Sequence, residues 1–298
     1  MTEHTHSPNI NRLKHSILIT GFILLVEVIG GLLSGSLALV SDAGHMLSDL
    51  LSLILSLVAM ILATSIATKE RTYGLHRTEI FAGFINSVLL VVISGIIIWE
   101  AYQRFLSPTP IQGGMMMGVA IIGLIANLAI IHLLHGSHDL NMRSAFLHVL
   151  GDTLSSVAVI GAAVWIYFTG QVLIDPILSV IIGVIIIGTA VGLLRETIEI
   201  LLQFAPRSVS FDEVIAEIRS VSGVEDVHHL HLWSLCSNIH VLDTHVYSCV
   251  RDLDQIEQMK QEIKERLRKF QILYSTLEFE CNACTTCSVV EEVRSHPE

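Results

Sequence analysis

Six stretches of this chain are too long and too apolar for a soluble interior. They lie at roughly 16–34, 38–66, 80–105, 114–135, 143–169 and 175–202. A bilayer core about 30 Å thick needs about 20 mostly apolar residues at 1.5 Å of helical rise each. Lipid offers no partner for backbone N–H and C=O groups, so the stretches are predicted as transmembrane helices. Polar breaks separate them: Ser34-Gly35-Ser36, the run Thr68–Gly74, Ser107-Pro108-Thr109-Pro110, His135–Asp139, and Thr169-Gly170-Gln171 before Asp175-Pro176. Pro176 suits a helix start, where a missing N–H costs nothing. Of 298 residues 52% are hydrophobic and 15% charged, against about 25% charged in ordinary soluble domains. That excludes a disordered chain and a wholly soluble one. The first 15 residues are polar and no short apolar core with a cleavage site follows, so no cleavable signal peptide is expected.

Lys and Arg set the orientation. One side collects Arg12, Lys14, Lys69, Arg71, Arg77, Arg143 and Arg207, and the other only Arg104. The first side is expected to be cytoplasmic, with both termini there, in a cell (inner) membrane. The chain then divides into a cytoplasmic N-terminal segment (1–15), a six-helix transport domain (16–207), a cytoplasmic domain (208–280) and a Cys-containing tail (281–298). The first 207 residues carry 9 Lys and Arg against 12 Asp and Glu, and the last 91 carry 8 against 16. Nucleic acid, which needs a basic footprint, is excluded as a partner; an acidic domain suits cations.

From residue 208 the pattern is that of a soluble domain. A helix is predicted over 211–221, a strand to about Leu235, a second strand over 239–250, an amphipathic helix over 253–270 and a third strand over 272–280. Ile256, Met259, Ile263 and Leu267 share one face of the second helix. This α-β-β-α-β order suits a small α+β, ferredoxin-like sandwich with both helices on one sheet face. The fold class expected is therefore an α-helical membrane protein with a C-terminal α+β cytoplasmic domain.

One motif occurs twice. His45 and Asp49 are four residues apart in the second apolar stretch, and His148 and Asp152 four apart in the fifth. Residues i and i+4 share a helix face. Two such helices facing each other bring two imidazoles and two carboxylates to one point, the ligand number a tetrahedral Zn²⁺ takes. An ionised Asp in a bilayer costs about 2.5–3.5 kcal/mol on insertion scales, so such residues have a partner and a task. Packing polar groups or a metal-free proton relay are the other uses of the same residues. Asp42, one turn before His45, reads either as a cation-drawing entrance group or as a solvated helix-start carboxylate. Glu27 and Asn127 read as interhelical hydrogen-bonding groups.

These residues resemble a known family. Ser41-Asp42-Ala43-Gly44-His45-Met46-Leu47-Ser48-Asp49 and His148-Val149-Leu150-Gly151-Asp152 are similar to the paired signatures of the cation diffusion facilitator zinc transporters. Tyr73-Gly74-Leu75-His76-Arg77-Thr78-Glu79 resembles the loop before that family's third helix, and Asp175-Pro176-Ile177-Leu178-Ser179 the opening of its sixth. Val224-Glu225-Asp226-Val227-His228-His229-Leu230-His231-Leu232-Trp233-Ser234 resembles the start of its cytoplasmic domain. The likeness spans about residues 15–280. It implies a homodimer in a lipid bilayer and exchange of Zn²⁺ for H⁺. The His–Asp pair in the second helix resembles the zinc-preferring branch. The family's long His-rich loop between helices four and five is reduced to His132, His135 and His138, as in a bacterial-type member.

The resemblance also marks secondary positions. His76 is a candidate ligand at the membrane edge, or a polar cap on helix three. Arg77 fits the basic half of a helix 3–helix 6 dimer interlock, but the matching helix-six region reads Leu202-Gln203-Phe204, with Glu196 and Glu199 earlier. His228 and His245 fall at metal-binding positions on adjacent predicted strands, and Glu280 matches a bridging carboxylate. Tyr274 stands where the family often has His. Cys281, Cys284 and Cys287 form a CxxCxxC, a spacing that lets thiolates share Zn²⁺ or Cu⁺, or else they are reduced surface thiols. Cys236 and Cys249 read as ordinary strand residues, and His229 and His231 as structural.

The reading that joins these features is a transporter, not an enzyme, exporting Zn²⁺ for H⁺ by alternating access; the same ligands accept Cd²⁺ and Co²⁺. A membrane metal sensor is the alternative. An intramembrane metalloenzyme fits poorly, because no HExxH occurs and four protein ligands leave no position for water.

Overall fold

The computed structural model describes residues 7–62, 68–134, 140–281 and 289. It divides into two compact units, residues 1–64 with 82–194 and residues 65–81 with 195–298.

The first unit is a helical bundle of α1 (Ser7–Ser34), α2 (Leu37–Leu62), α3 (Arg77–Leu106), α4 (Gly113–Leu134), α5 (Leu140–Thr169) and α6 (Ile174–Leu201), whose third and sixth helices run on into the second unit. Among the described residues five helices are long and apolar enough to cross a membrane; the apolar stretch of the sixth, Gly113–Ala129 on α4, is shorter. The bundle has the polarity of a membrane protein. Phe22, Trp99, Tyr167 and Phe168 stand on its outside, while Ser41, Asp42, Asn127, Ser156 and Asp175 are buried. That inversion is stable only where the surrounding solvent is apolar. The helices α1, α2, α4 and α5 pack in a ring, α1 on α2 and α4, α5 on α4 and α2.

Asp175 sets where α2 begins. Its carboxylate accepts hydrogen bonds from Ser36 Oγ at 2.5 Å, Leu37 N at 2.8 Å and Ala38 N at 3.2 Å. A helix start leaves orphan N–H groups, and an anion there also meets the positive end of the helix dipole. Gly35, at φ +73°, makes the turn from α1 that brings Ser36 to this cap.

The second unit holds the sheet domain: α7 (Phe211–Arg219), β1 (Asp226–Cys236), β2 (Ile239–Tyr247), α8 (Leu253–Leu267), a 3₁₀ turn (Arg268–Phe270) and β3 (Ile272–Glu280). The sheet order is β1-β2-β3, with β1 antiparallel and β3 parallel to β2. Val214, Ile215 and Ile218 of α7 and Met259, Ile263 and Leu267 of α8 form one core with Val227, Leu230, Leu232, Leu242, Val246 and Ile272 of the sheet. Both helices thus cover one face, as the apolar spacing predicts. Ser210 caps α7 and Asp252 caps α8 through their side chains. The second strand ends at Tyr247, not Val250. Ser248 N still donates to Glu280 O at 3.0 Å, but its Oγ donates to Gly223 O and accepts from Val250 N, so beyond it the chain is held by a side chain and not by the ladder. Cys249 therefore lies in a loop and is exposed, which corrects its reading as a strand residue.

Candidate metal centre

The i, i+4 spacing puts His45 and Asp49 on one face of α2, and α2 packs on α5. His45, Asp49 and Asp152 come together, each offering a ligand atom, with those atoms all within 4.8 Å of one another. Nε2 of His45 is 3.1 Å from Oδ1 of Asp152, and their side chains are 23% and 15% exposed. Ligands of one tetrahedral ion at about 2.0–2.2 Å stand about 3.4 Å apart, so little movement closes this cluster on a divalent metal. His148 lies on α5 one turn before Asp152; its side chain is outside the described residues.

Asp42 is buried, and Ser155 Oγ on α5 donates to it at 2.6 Å. The solvated helix-start reading is thereby overturned: Asp42 faces the bundle and ties α2 to α5 beside the cluster. Asn127 behaves as expected, donating to Ser156 Oγ at 3.4 Å. Glu27 does not. It is 2% exposed, and its Oε2 has no hydrogen-bond partner among the described residues.

The second unit brings together a second cluster. His228 on β1 pairs with His245 on β2, and Glu280 closes β3. Oε1 of Glu280 is 2.7 Å from Nδ1 of His245, and Oε2 is 3.2 Å from Nε2 of His228. One carboxylate thus bridges two imidazoles, with all three ligand atoms within 4.8 Å. His245 Nε2 also lies 3.5 Å from Glu278. A bulge between His228 and His231 puts His229 at φ 55° and its ring 4.7 Å from that of His245. His240, apart from this cluster, is buried and shares a 3.0 Å hydrogen bond with Ser234; burial holds its imidazole below the usual value.

Among the described residues, the other marked positions gather no ligands. His76 joins no group of three potential ligands among the described residues. Arg77 is exposed at the start of α3. Glu199 is engaged within the chain by Arg195 at 3.1 Å and by Arg207. Tyr274 packs edge-on against Tyr73 at 5.4 Å, both within the second unit, where Ser237 Oγ also donates to Glu79. Cys281 is exposed at the end of β3, and Cys284 and Cys287 lie outside the described residues. Sequence reading missed Asp175 as the cap of α2 and Ser155 as the partner of Asp42. An Asp-Pro pair signals a helix start, but nothing local names the helix it caps.

Known families match both parts of the chain. The family profile described as the cation efflux transmembrane domain matches residues 13–202, and that of the cation efflux protein cytoplasmic domain matches 206–277. The chain is 39% identical to the zinc transporter ZitB of Escherichia coli (strain K12), covering 97% of this chain and 93% of the relative. It is 36% identical to the cadmium, cobalt and zinc/H(+)-K(+) antiporter of Bacillus subtilis (strain 168), covering 94% and 92%. It is 35% identical to the metal cation efflux system protein CzcD of Cupriavidus metallidurans, covering 99% and 95%.

Proposed function

The chain belongs to the cation efflux family of membrane transporters, the cation diffusion facilitators, and on that premise we propose that it exports Zn²⁺ from the cytoplasm in exchange for protons. The observation that carries the reading is the convergence of His45, Asp49 and Asp152 from two packed helices inside an apolar bundle. His148 is the fourth ligand in this reading. The relatives' names support zinc as cargo, cadmium and cobalt as further cargo, and protons as the counter-ion.

The chemistry of the cluster supports exchange. The 3.1 Å pair of His45 and Asp152 holds a proton between lone pairs that would also bind a metal. Zn²⁺ needs neutral imidazole and ionised carboxylate, so its binding expels protons, and protons arriving from the far side expel it. Asp42 sits where it would draw cations toward the ligands. Alternating access then needs α2 and α5 to shift together, which their shared cluster favours. The His228, His245 and Glu280 cluster is a regulatory zinc site in this reading, linked to transport by its effect on a homodimer. The Cys281, Cys284 and Cys287 tail is a further zinc-binding segment. Both termini face the cytoplasm of a cell (inner) membrane.

Inside-out proteoliposomes with an acidic lumen test the proposal. Zinc should accumulate as protons leave, and accumulation should vanish when the pH gradient is collapsed. A purified chain that binds zinc but never moves it would support the sensor reading instead.

A further inference from the structure

Glu27 is the only charged residue between Ser16 and Ser34 of α1. It points inward at 2% exposure, among the largest fully buried side chains of the molecule. Its carboxyl lies over Gly123 of α4, where a Cβ would stand 2.6 Å from Oε1 and 3.7 Å from Cδ. Only the missing side chain at Gly123 leaves it room. Oε2 has no hydrogen-bond partner among the described residues. Among the described residues, the carboxylates of Asp42 on α2 and Asp152 on α5 lie within electrostatic reach of it. Within Gly113–Ala129, α4 has no titratable residue, and Asn127 is turned to Ser156. On α2 the remaining titratable groups, His45 and Asp49, belong to the metal cluster.

An ionised carboxylate in that setting would be buried, with Oε2 unsatisfied among the described residues, and repelled by two others. A neutral carboxylic acid avoids all three costs. A divalent cation held by His45, Asp49 and Asp152 reverses the local field, because its two positive charges outweigh the neighbouring carboxylates. The carboxylate form of Glu27 then becomes the favoured one.

We propose that Glu27 is a second proton-carrying site of the transport cycle, distinct from the metal ligands, which releases its proton to solvent when Zn²⁺ occupies the cluster and regains it when Zn²⁺ leaves. The inference rests on the zinc–proton exchange proposed above and adds a proton that the ligands themselves do not hold. Glu27 makes no hydrogen bond to the described ligands His45, Asp49 and Asp152; in this proposal it acts through the field.

The test is zinc binding to the purified full-length protein across pH, read two ways. Binding constants for Zn²⁺ give a slope against pH that counts protons released. Zinc-induced infrared difference spectra report the loss of a protonated carboxyl C=O stretch. The parent should show that loss, and Glu27→Gln should lack it while its slope falls by up to about one proton per zinc. Glu27→Asp, which keeps a carboxyl, should restore the slope and shift the band. A parent with no carboxyl band lost on zinc addition overturns the proposal without any variant. So does a Glu27→Gln protein with the parental slope and band. A parent that binds zinc and releases no protons at all contradicts the exchange reading itself, whereas proton release unaffected at Glu27 contradicts only this inference.

Discussion

Nε2 of His45 on α2 stands 3.1 Å from Oδ1 of Asp152 on α5, a hydrogen bond between residues 107 apart in sequence. Both atoms are metal-ligating types, and Asp49 lies within the same cluster. Asp152→Asn keeps the shape and removes the charge. Zinc affinity should fall at least 100-fold, beyond the roughly 10–100-fold typical of losing a supporting partner. Equilibrium zinc titration of purified protein checks this.

Asp175 satisfies three donors at the start of α2. Asp175→Ala strands the N–H groups of Leu37 and Ala38 in a buried setting, a loss of about 1–3 kcal/mol. Thermal unfolding in detergent should show a clear fall in Tm. Asp175→Asn, which retains an acceptor oxygen, should lose less.

Glu280 bridges His228 and His245. Glu280→Gln should abolish one class of bound zinc and leave the binding at His45, Asp49 and Asp152 intact. The number of zinc ions retained per chain, parent beside variant, gives the answer; unchanged stoichiometry would remove this cluster as a metal site.

His240 is buried, and burial lowers its pKa from 6.5. The folded state therefore favours the neutral ring more than the unfolded state does. Between the lowered folded value and about 6.5 the unfolded chain binds more protons, so stability rises with pH through that window and is lost as pH falls through it. Amide hydrogen exchange in β1 and β2, corrected for intrinsic rates, should show protection falling on acidification. His240→Gln should show a shallower dependence.

Tyr73 and Tyr274 meet edge-to-face at 5.4 Å. Such pairs contribute about 0.5–1.5 kcal/mol beyond their buried area. Tyr274→Ala should raise local opening around Tyr73 by about 2–10-fold. Trypsin cleavage after Lys69 or Arg71, both exposed, should accelerate by a similar factor.

The sequence made some of this architecture legible because the signals are local. Six apolar stretches and the 3.6- and 2-residue periodicities of the last domain depend on near neighbours, and the helix and strand ranges follow them closely. The cluster of His45, Asp49 and Asp152 was legible because HxxxD occurs twice at the spacing of a helical turn. What was not legible depends on distant partners. Asp175 caps a helix 138 residues away, and Ser155 reaches Asp42 across 113. Glu27 reads in sequence like any polar group between helices; only the packing shows that its carboxyl lies over Gly123 and that, among the described residues, its Oε2 has no hydrogen-bond partner. The end of β2 was misplaced because past Ser248 the backbone of Val250 is held by the Ser248 hydroxyl, where alternation alone assigns a strand.

The central claim is that zinc crosses the membrane through the cluster of His45, Asp49 and Asp152. Its most direct test is zinc uptake into inside-out proteoliposomes with an acidic lumen, comparing the parent with Asp49→Ala and Asp152→Ala at matched protein incorporation. The parent should accumulate zinc and both variants should fall to the level of protein-free vesicles. Parental uptake by either variant would contradict the claim and place the path of the ion elsewhere.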